Sequence, residues 1–239
     1  EEVKKEFKLI ILGSAGAGKS CLVSRLLHDK FDGGHTPTIG MEHEKHVLTS
    51  PSNKLLKLQV WDRAGVATYG AIEKAYWKKA AAAMLVYDSA DRGSFDYINT
   101  VADEVSAQGP RGMPVLLVAN KVDLPDQAAE DAEVEALCSS LADRLGLSSV
   151  PFIEASASDA FNVDEAFATL ADLAYHAEFS AAPEEQLLEV QQEPEIDGDA
   201  EAEEDAARVA AEEEAEADRA AAAEEDAARV AAEEEAEAA

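Results

Sequence analysis

Over its first 180 residues the chain alternates short apolar segments with longer amphipathic ones. Runs typical of strands, several of them continuously apolar as in a buried parallel sheet, occur at residues 7–12, 42–48, 55–61, 82–88, 115–120 and 150–154. Apolar residues at helical spacing predict helices at residues 19–28, 71–79, 94–107, 129–144 and 163–179. Turn-forming residues 49–53 indicate that the second and third strands pair antiparallel. The pattern predicts an α/β fold: a doubly wound, mostly parallel six-stranded sheet with helices on both faces.

Composition separates this part of the chain from an acidic tail. The whole chain has a formal net charge of −30, and residues 181–239 alone carry 23 acidic and 3 basic residues. We predict one globular domain at residues 1–180, a linker at 181–200, and an acidic Ala/Glu-rich tail at 201–239, in which residues 203–217 recur unchanged as 224–238. Alanine and glutamate favour helix, whereas dense like charges favour disorder, so the tail is expected to be helical or disordered.

The negative charge argues against nucleic acid or an anionic membrane as a general partner, since both require a basic surface. The two cysteines, Cys21 and Cys138, have no metal or redox spacing, which fits a reducing cytoplasmic compartment. No apolar run approaches the roughly 20 residues that span a bilayer. For the tail, two interpretations stay open: it binds a basic protein surface, or it is a solvated extension without a partner.

Residues 13–20 read G-S-A-G-A-G-K-S, which is the pattern G-x-x-x-x-G-K-[ST] between a predicted strand and a predicted helix. Glycines let successive backbone N–H groups turn inward, and with the positive end of the helix they form an anion cradle. Lys19 would reach the outer phosphates, and the Ser20 hydroxyl would hold Mg²⁺. The predicted ligands of the nucleotide here are Ser14, Ala15, Gly16, Ala17, Gly18, Lys19, Ser20 and Cys21.

Two further motifs follow predicted strands. After the third strand, Asp62 could reach Mg²⁺ through water, and the N–H of Gly65 could meet a γ-phosphate. After the fifth strand comes Asn120-Lys121-Val122-Asp123. A carboxylate at Asp123 can accept both the ring N–H and the exocyclic amine of guanine, a pair that adenine does not present. The carboxyl ends of the strands are therefore expected to form a guanine-nucleotide site.

Together these motifs resemble those of Ras-superfamily small GTPases, and specifically of Rabs. The similar stretches are the loop at 13–20 and residues 38–42, 61–65, 75–80, 85–88, 120–123 and 154–157. The resemblance implies GTP or GDP with Mg²⁺ as cofactors, and Thr38 as a further Mg²⁺ ligand in the first switch. It also implies that Phe31 and Lys121 pack on opposite sides of the guanine, while Ser156 and Ala157 complete the base pocket.

The chain departs from this family at the second switch. Val66 stands where the family has the glutamine that orients the attacking water, and valine has no hydrogen-bonding group. Phosphoryl transfer depends on positioning and charge stabilisation, so this replacement predicts slow GTP hydrolysis with intact nucleotide binding. For Arg63, two roles stay open: it supplies a positive charge toward the phosphates, or it pairs with an acid at the surface.

Two functions from different classes fit these features. The first is a switch in intracellular or ciliary trafficking that binds protein effectors. The second is a GTP- or GDP-bound docking module of a larger assembly, which contacts its partners through the switches and the acidic tail. Because no cysteine follows Cys138, we expect no prenyl anchor, unlike a typical Rab. Residues 69–76 resemble the cilia-associated branch of Rabs, so the expected location is the cytoplasm, with the cilium as a narrower hypothesis.

Overall fold

Six strands form one mixed sheet in the computed structural model of the chain, which describes residues 2–31, 41–63 and 76–179. The strands are β1 (Glu2–Leu12), β2 (Met41–Thr49), β3 (Leu55–Arg63), β4 (Ala80–Asp88), β5 (Val115–Asn120) and β6 (Phe152–Glu154). Their order across the sheet is β2-β3-β1-β4-β5-β6. β2 runs antiparallel to β3, and each other neighbouring pair is parallel, which confirms the predicted doubly wound fold.

Helices in the described part of the chain are α1 (Lys19–His28), α2 (Arg92–Gln108), α3 (Asp131–Leu145) and α4 (Val163–Phe179). Of the helix predicted at 71–79, residues 71–75 lie outside the described residues, and Tyr76 and Trp77 are helical. The linker predicted at 181–200 and the tail predicted at 201–239 also lie outside the described residues.

Alternate residues of β1 point into two separate cores. Leu9 and Ile11 pack in the cluster that contains Leu22 of α1 and Phe167 of α4. Ile10 and Leu12 pack in the cluster formed with α2 and α3, which includes Ile98 and Leu141. Because both faces of β1 are covered, its side chains are apolar without alternation over residues 9–12, as expected for a central parallel strand.

Helix boundaries follow local capping. The Asp91 side chain accepts a hydrogen bond from the Gly93 N–H and starts α2. Glu130 and Glu133 form a reciprocal capping box at the start of α3, and Gly146, at φ +67°, ends that helix. β4 and β5 run parallel, so the loops that leave the two strands lie at the same edge of the sheet.

Every strand except β5 differs from its predicted bounds, most of all at the start of β1, and β6 is shorter than predicted. β1 begins at Glu2, five residues before the predicted start, because backbone pairing with Leu55 of β3 does not require apolar side chains. β6 begins at Phe152, two residues later than predicted. Pro151 precedes it and has no N–H for a ladder, although its carbonyl oxygen accepts a bond of 3.0 Å from Leu117.

Candidate nucleotide-binding site

The turn between β1 and α1 holds the phosphate-loop sequence in close contact with its neighbours. Gly13 adopts φ +147°, and a Cβ atom at this position would lie 2.0 Å from the carbonyl oxygen of Val86 in β4. The buried Lys19 amine donates to the carbonyl oxygens of Gly13 and Ser14, at 3.0 and 2.8 Å. The ammonium group is therefore held against the start of the loop whose N–H groups are predicted to cradle phosphates.

Asn120 links three loops at the carboxyl ends of the strands. Its side-chain amide donates to the carbonyl oxygen of Ala17 at 2.8 Å, and its side-chain oxygen accepts from the Ala157 N–H at 3.2 Å. The side chain is only 1% exposed. One buried amide thus fixes the phosphate loop after β1 against the loop after β6, from its own place at the end of β5.

Two charged side chains after β5 are also held by specific partners. Lys121 adopts φ +68°, and its amine forms an ion pair of 2.6 Å with Asp88 at the end of β4. The Ser156 hydroxyl donates to an Asp123 carboxylate oxygen at 2.6 Å and accepts from the Asp159 N–H at 3.0 Å. A carboxylate has two oxygens with several lone pairs, so Asp123 can accept further bonds from a ligand while it is oriented by Ser156.

The phosphate loop is also tied to α2. The hydroxyl oxygens of Ser14 and Ser94 lie 2.8 Å apart, and the Ser94 oxygen accepts from the Asp88 N–H at 2.9 Å. Ser94 lies in the first turn of α2 and is 2% exposed. The end of β4, the start of α2 and the phosphate loop therefore form one hydrogen-bonded unit.

A cleft of about 280 Å³ opens beside the start of α1. Ser20, Asp62, Val60 and Glu44 are among the residues that line it, and Asp62 is only 5% exposed. A hydroxyl and a carboxylate are the oxygen donors that Mg²⁺ prefers, usually completed by waters and substrate phosphates. Within the described ranges, no three or more His, Cys, Asp or Glu side chains are grouped to hold a metal ion.

Trp61, directly before Asp62, is flanked by side chains from both neighbouring strands. The His43 ring of β2 stacks on it at 4.7 Å between centroids, and the Lys8 amine of β1 lies 3.5 Å from its ring centroid. Burial, and secondarily the positive charge of Lys78, lower the pKa of the Lys8 amine to about 7. The strand that presents Asp62 is thus packed against its neighbours through an aromatic and cationic row.

Comparison with known proteins identifies the family to which this fold and site belong. The Ras family model matches residues 8–176. The chain belongs to the Ras family. It is 37% identical over 173 residues to Ras-related protein RABA4b of Arabidopsis thaliana, covering 71% of this chain and 73% of that protein.

Two further relatives support the Rab branch of the Ras family. The chain is 38% identical over 164 residues to GTP-binding protein ypt2 of Schizosaccharomyces pombe, covering 69% of this chain and 78% of that protein. It is 35% identical over 173 residues to Ras-related protein Rab11D of Nicotiana tabacum, with 71% and 73% covered. The chain is accordingly a Rab-like small GTPase of the switch type. None of the helices in the described residues has the length and apolarity needed to cross a membrane.

Most of the predicted site residues that the structure describes lie together at this edge of the sheet. Phe31 follows α1 and is 41% exposed, and Cys21 lies in the first turn of α1, half-buried. Thr38, Gly65 and Val66 lie outside the described residues, and so does the side chain of Arg63, the last residue of β3. The residues brought together are Ser14, Ala15, Gly16, Ala17, Gly18, Lys19, Ser20, Asp62, Asn120, Lys121, Asp123, Ser156 and Ala157.

Sequence reasoning missed three residues of this Ras-family site. Asp88 orients Lys121, Ser94 anchors the phosphate loop, and Arg25 of α1 bonds the carbonyl oxygens of Ala157 and Ser158. Residues 85–88 resemble those of Rabs, but this resemblance assigns no role to Asp88. For Ser94 and Arg25 the local pattern carries no signal, because each is an ordinary helix residue whose partner is distant in the chain.

Proposed function

We propose that the chain binds GTP and GDP specifically, together with Mg²⁺, and acts as a Rab-like switch. The observation that carries this proposal is the position of Asn120, whose buried amide bonds Ala17 of the phosphate loop and Ala157 of the predicted base loop. The two predicted elements, one for the phosphates and one for the base, are thereby joined through the hydrogen bonds of a single side chain. A nucleotide that reaches from one loop to the other meets the groups predicted for both of its ends.

Within this proposal each residue has a distinct role. Lys19 and the N–H groups of residues 14–21 bind the phosphates, while Asp123, Ser156 and Ala157 recognise the guanine between Phe31 and Lys121. Ser20, Thr38 and Asp62 would hold Mg²⁺, which neutralises phosphate charge when bound. Thr38 and Gly65 close the two switches over the γ-phosphate, and protein effectors bind the ordered switches.

We further propose that intrinsic GTP hydrolysis is slow. The Val66 side chain can neither donate a hydrogen bond to a water nor accept one from it. The attacking water therefore lacks the orientation that a glutamine side chain provides. Arg63 directly follows the buried Asp62 in β3. Its charge therefore has two possible roles in this proposal: it acts near the phosphates, or it forms an ion pair at the surface. A partner protein that supplies the missing group would then set the lifetime of the GTP-bound state.

A second candidate function is favoured by the same valine and by the tail. If hydrolysis is negligible, the nucleotide becomes a near-permanent cofactor and the domain a docking module in a multiprotein assembly. The acidic residues 181–239, with 23 acids and 3 bases, suit a basic protein surface as the partner.

The ciliary assignment rests on residues 69–76, which lie outside the described residues. Fluorescence microscopy of the tagged chain in ciliated and non-ciliated cells tests it.

One set of measurements on the purified full chain tests the proposal. We expect co-purified guanine nucleotide, tighter binding of GDP than of ADP in competition assays, and loss of affinity when Mg²⁺ is chelated. Equal affinity for GDP and ADP would contradict the proposed function. Single-turnover hydrolysis of GTP then separates the two candidates: slow turnover that a cell extract accelerates favours the switch, and no turnover under either condition favours the docking module.

A further inference from the structure

Arg25 connects α1 to the predicted base loop. It lies six residues after Lys19, about 9 Å further along the helix. Its Nε atom donates to the Ala157 carbonyl oxygen at 2.9 Å, and its Nη2 atom donates to the Ser158 carbonyl oxygen at 3.1 Å. The side chain is only 16% exposed. The same helix that starts at the phosphate loop therefore also contacts the loop predicted to recognise the base.

The guanidinium group is fixed at all three nitrogens. Besides the two bonds to the base loop, its Nη1 atom donates to the carbonyl oxygen of Asp29 at 3.0 Å and to the Asp29 carboxylate at 2.9 Å. Asp29 adopts φ +51° and ends α1, so Arg25 is braced against the last turn of its own helix. A planar fork of donors suits two successive carbonyl oxygens, and a lysine amine cannot reproduce that geometry.

The bonds of Arg25 complement those of Asn120. Asn120 accepts the N–H of Ala157, and Arg25 binds the carbonyl oxygen of the same residue. The Ala157 N–H is thus bound by Asn120 at the end of β5, and the Ala157 carbonyl oxygen is bound by Arg25 of α1. At Ser158, the contact with α1 is made through the backbone carbonyl, which does not depend on the side chain present.

From this geometry we infer that Arg25 is a positioning residue for base recognition, which holds residues 157 and 158 in place so that the guanine edge meets Asp123 beside this loop. The inference rests on the proposed function, because it requires that a guanine occupies this loop. Arg25 acts through the loop and does not itself contact the nucleotide. Its loss should therefore weaken selection of the base more than binding of the phosphates.

The test compares three variants of the full chain. Arg25→Met removes the donors and keeps a long apolar stem, Arg25→Lys keeps the charge, and Asp29→Asn is a matched control that leaves both bonds to the base loop. We expect Arg25→Met to accelerate release of a fluorescent GDP about tenfold, since two charge-assisted hydrogen bonds are lost. The preference for GDP over ADP should fall by a similar factor. Arg25→Lys should lie between Arg25→Met and the unmodified chain, and Asp29→Asn should match the latter.

The ratio of GDP to ADP affinity distinguishes this role from a merely structural one. Equal weakening of both nucleotides would overturn the inference, because a positioning residue for the base must act on the base. Unchanged release and an unchanged ratio in Arg25→Met would also overturn it. If Arg25→Met does not fold, Arg25→Lys is judged by the same two measurements. Should the unmodified chain not prefer GDP over ADP, the proposed function itself fails, which is a separate outcome.

Discussion

We expect base selection in the proposed site to depend chiefly on the Asp123 carboxylate. Asp123 is oriented by a 2.6 Å bond from the Ser156 hydroxyl, which the Asp159 N–H in turn orients. Because an ionised carboxylate only accepts hydrogen bonds, it matches the two donors on the edge of guanine. The Ser156 hydroxyl therefore orients the carboxylate, and we expect Asp123 to select the base.

Replacing Asp123 by Asn should exchange the preferred base. An amide offers donors, so Asp123→Asn is expected to weaken GDP and to favour xanthosine diphosphate, whose altered edge needs a donor. Competition binding with both nucleotides measures the exchange. Asp126→Asn, which removes an exposed acid three residues away, is the control and should leave the preference for GDP unchanged. A variant Asp123→Asn that still prefers GDP would show that Asp123 does not read the base.

Val66 is the residue on which the rate of hydrolysis is expected to depend. Val66→Gln restores an amide next to Gly65, so single-turnover GTP hydrolysis should rise toward the slow rate of an ordinary small GTPase. GTP affinity should change little, because the amide acts on the attacking water and not on ground-state contacts. The double variant Val66→Gln with Arg63→Thr tests whether the Arg63 side chain keeps the introduced glutamine from orienting the water. If neither variant is faster, the absence of the glutamine is not the reason for slow turnover.

At the scale of elements, what the sequence could predict follows from how local each signal is. The runs at 82–88 and 115–120 predicted strands because both faces of these strands are buried, whereas the run at 55–61 alternates buried with less buried residues. The charged residues at the start of β1 gave no apolar strand pattern, because that part of the strand pairs with β3 through backbone atoms. The bonds from Arg25 to Ala157 and from Ser14 to Ser94 join residues 132 and 80 positions apart. No pattern within one element encodes such contacts, so that part of the site became visible only in the structure.

The start of α1 leaves no room for a side chain at Gly18. This residue adopts φ +86°, and a Cβ atom would lie 2.2 Å from the Asn120 amide nitrogen, which is itself held by the Ala17 carbonyl. Gly112 adopts φ +71° with open space around it, so an alanine there would cost only the strain of a left-handed backbone.

Gly18→Ala should therefore destabilise the chain more than Gly112→Ala does. We expect about 1 kcal/mol from the left-handed backbone at either position. At Gly18 a further loss of about 1–3 kcal/mol should follow as the Asn120 bonds break. Urea unfolding of both variants measures the difference. Equal losses would mean that Asn120 moves aside without cost.

Burial of the Lys8 amine beside Trp61 is expected to make the stability of the chain depend on pH. The pKa of Lys8 falls from 10.5 to about 7 on folding, so between these values the unfolded chain binds more protons than the folded one. This contribution to the free energy of unfolding is therefore unfavourable near pH 7 and becomes more favourable as pH rises, by at most about 1.4 kcal/mol per pH unit.

Lys8→Met should remove this pH dependence and raise stability at pH 7, because a buried amine is replaced by an apolar side chain of similar length. Urea unfolding at pH 7 and pH 9 tests the prediction. Lys57→Met, on a less buried position of β3, is the control and should keep the slope of the unmodified chain. An identical slope in Lys8→Met would show that Lys8 stays charged in the folded state.

At the scale of the whole molecule, charge and chemistry lie in different parts of the sequence. Every residue predicted to touch the nucleotide precedes Ser158, whereas residues 181–239 hold most of the net charge of −30. Deleting residues 181–239 should therefore leave the affinity for GDP unchanged within about twofold at 0.15 M ionic strength, where the Debye length of about 8 Å limits repulsion between an acidic segment and the phosphates. The association rate at low salt is the one quantity expected to rise, because removing negative charge improves the approach of an anionic ligand.

These effects are separated by the binding kinetics of a fluorescent GDP, measured for the full chain, for the deletion of residues 181–239 and for a shorter deletion of residues 203–239. A large increase in GDP release on either deletion would mean that the acidic residues help to form the nucleotide site, and that the domain at 1–180 is not its complete unit.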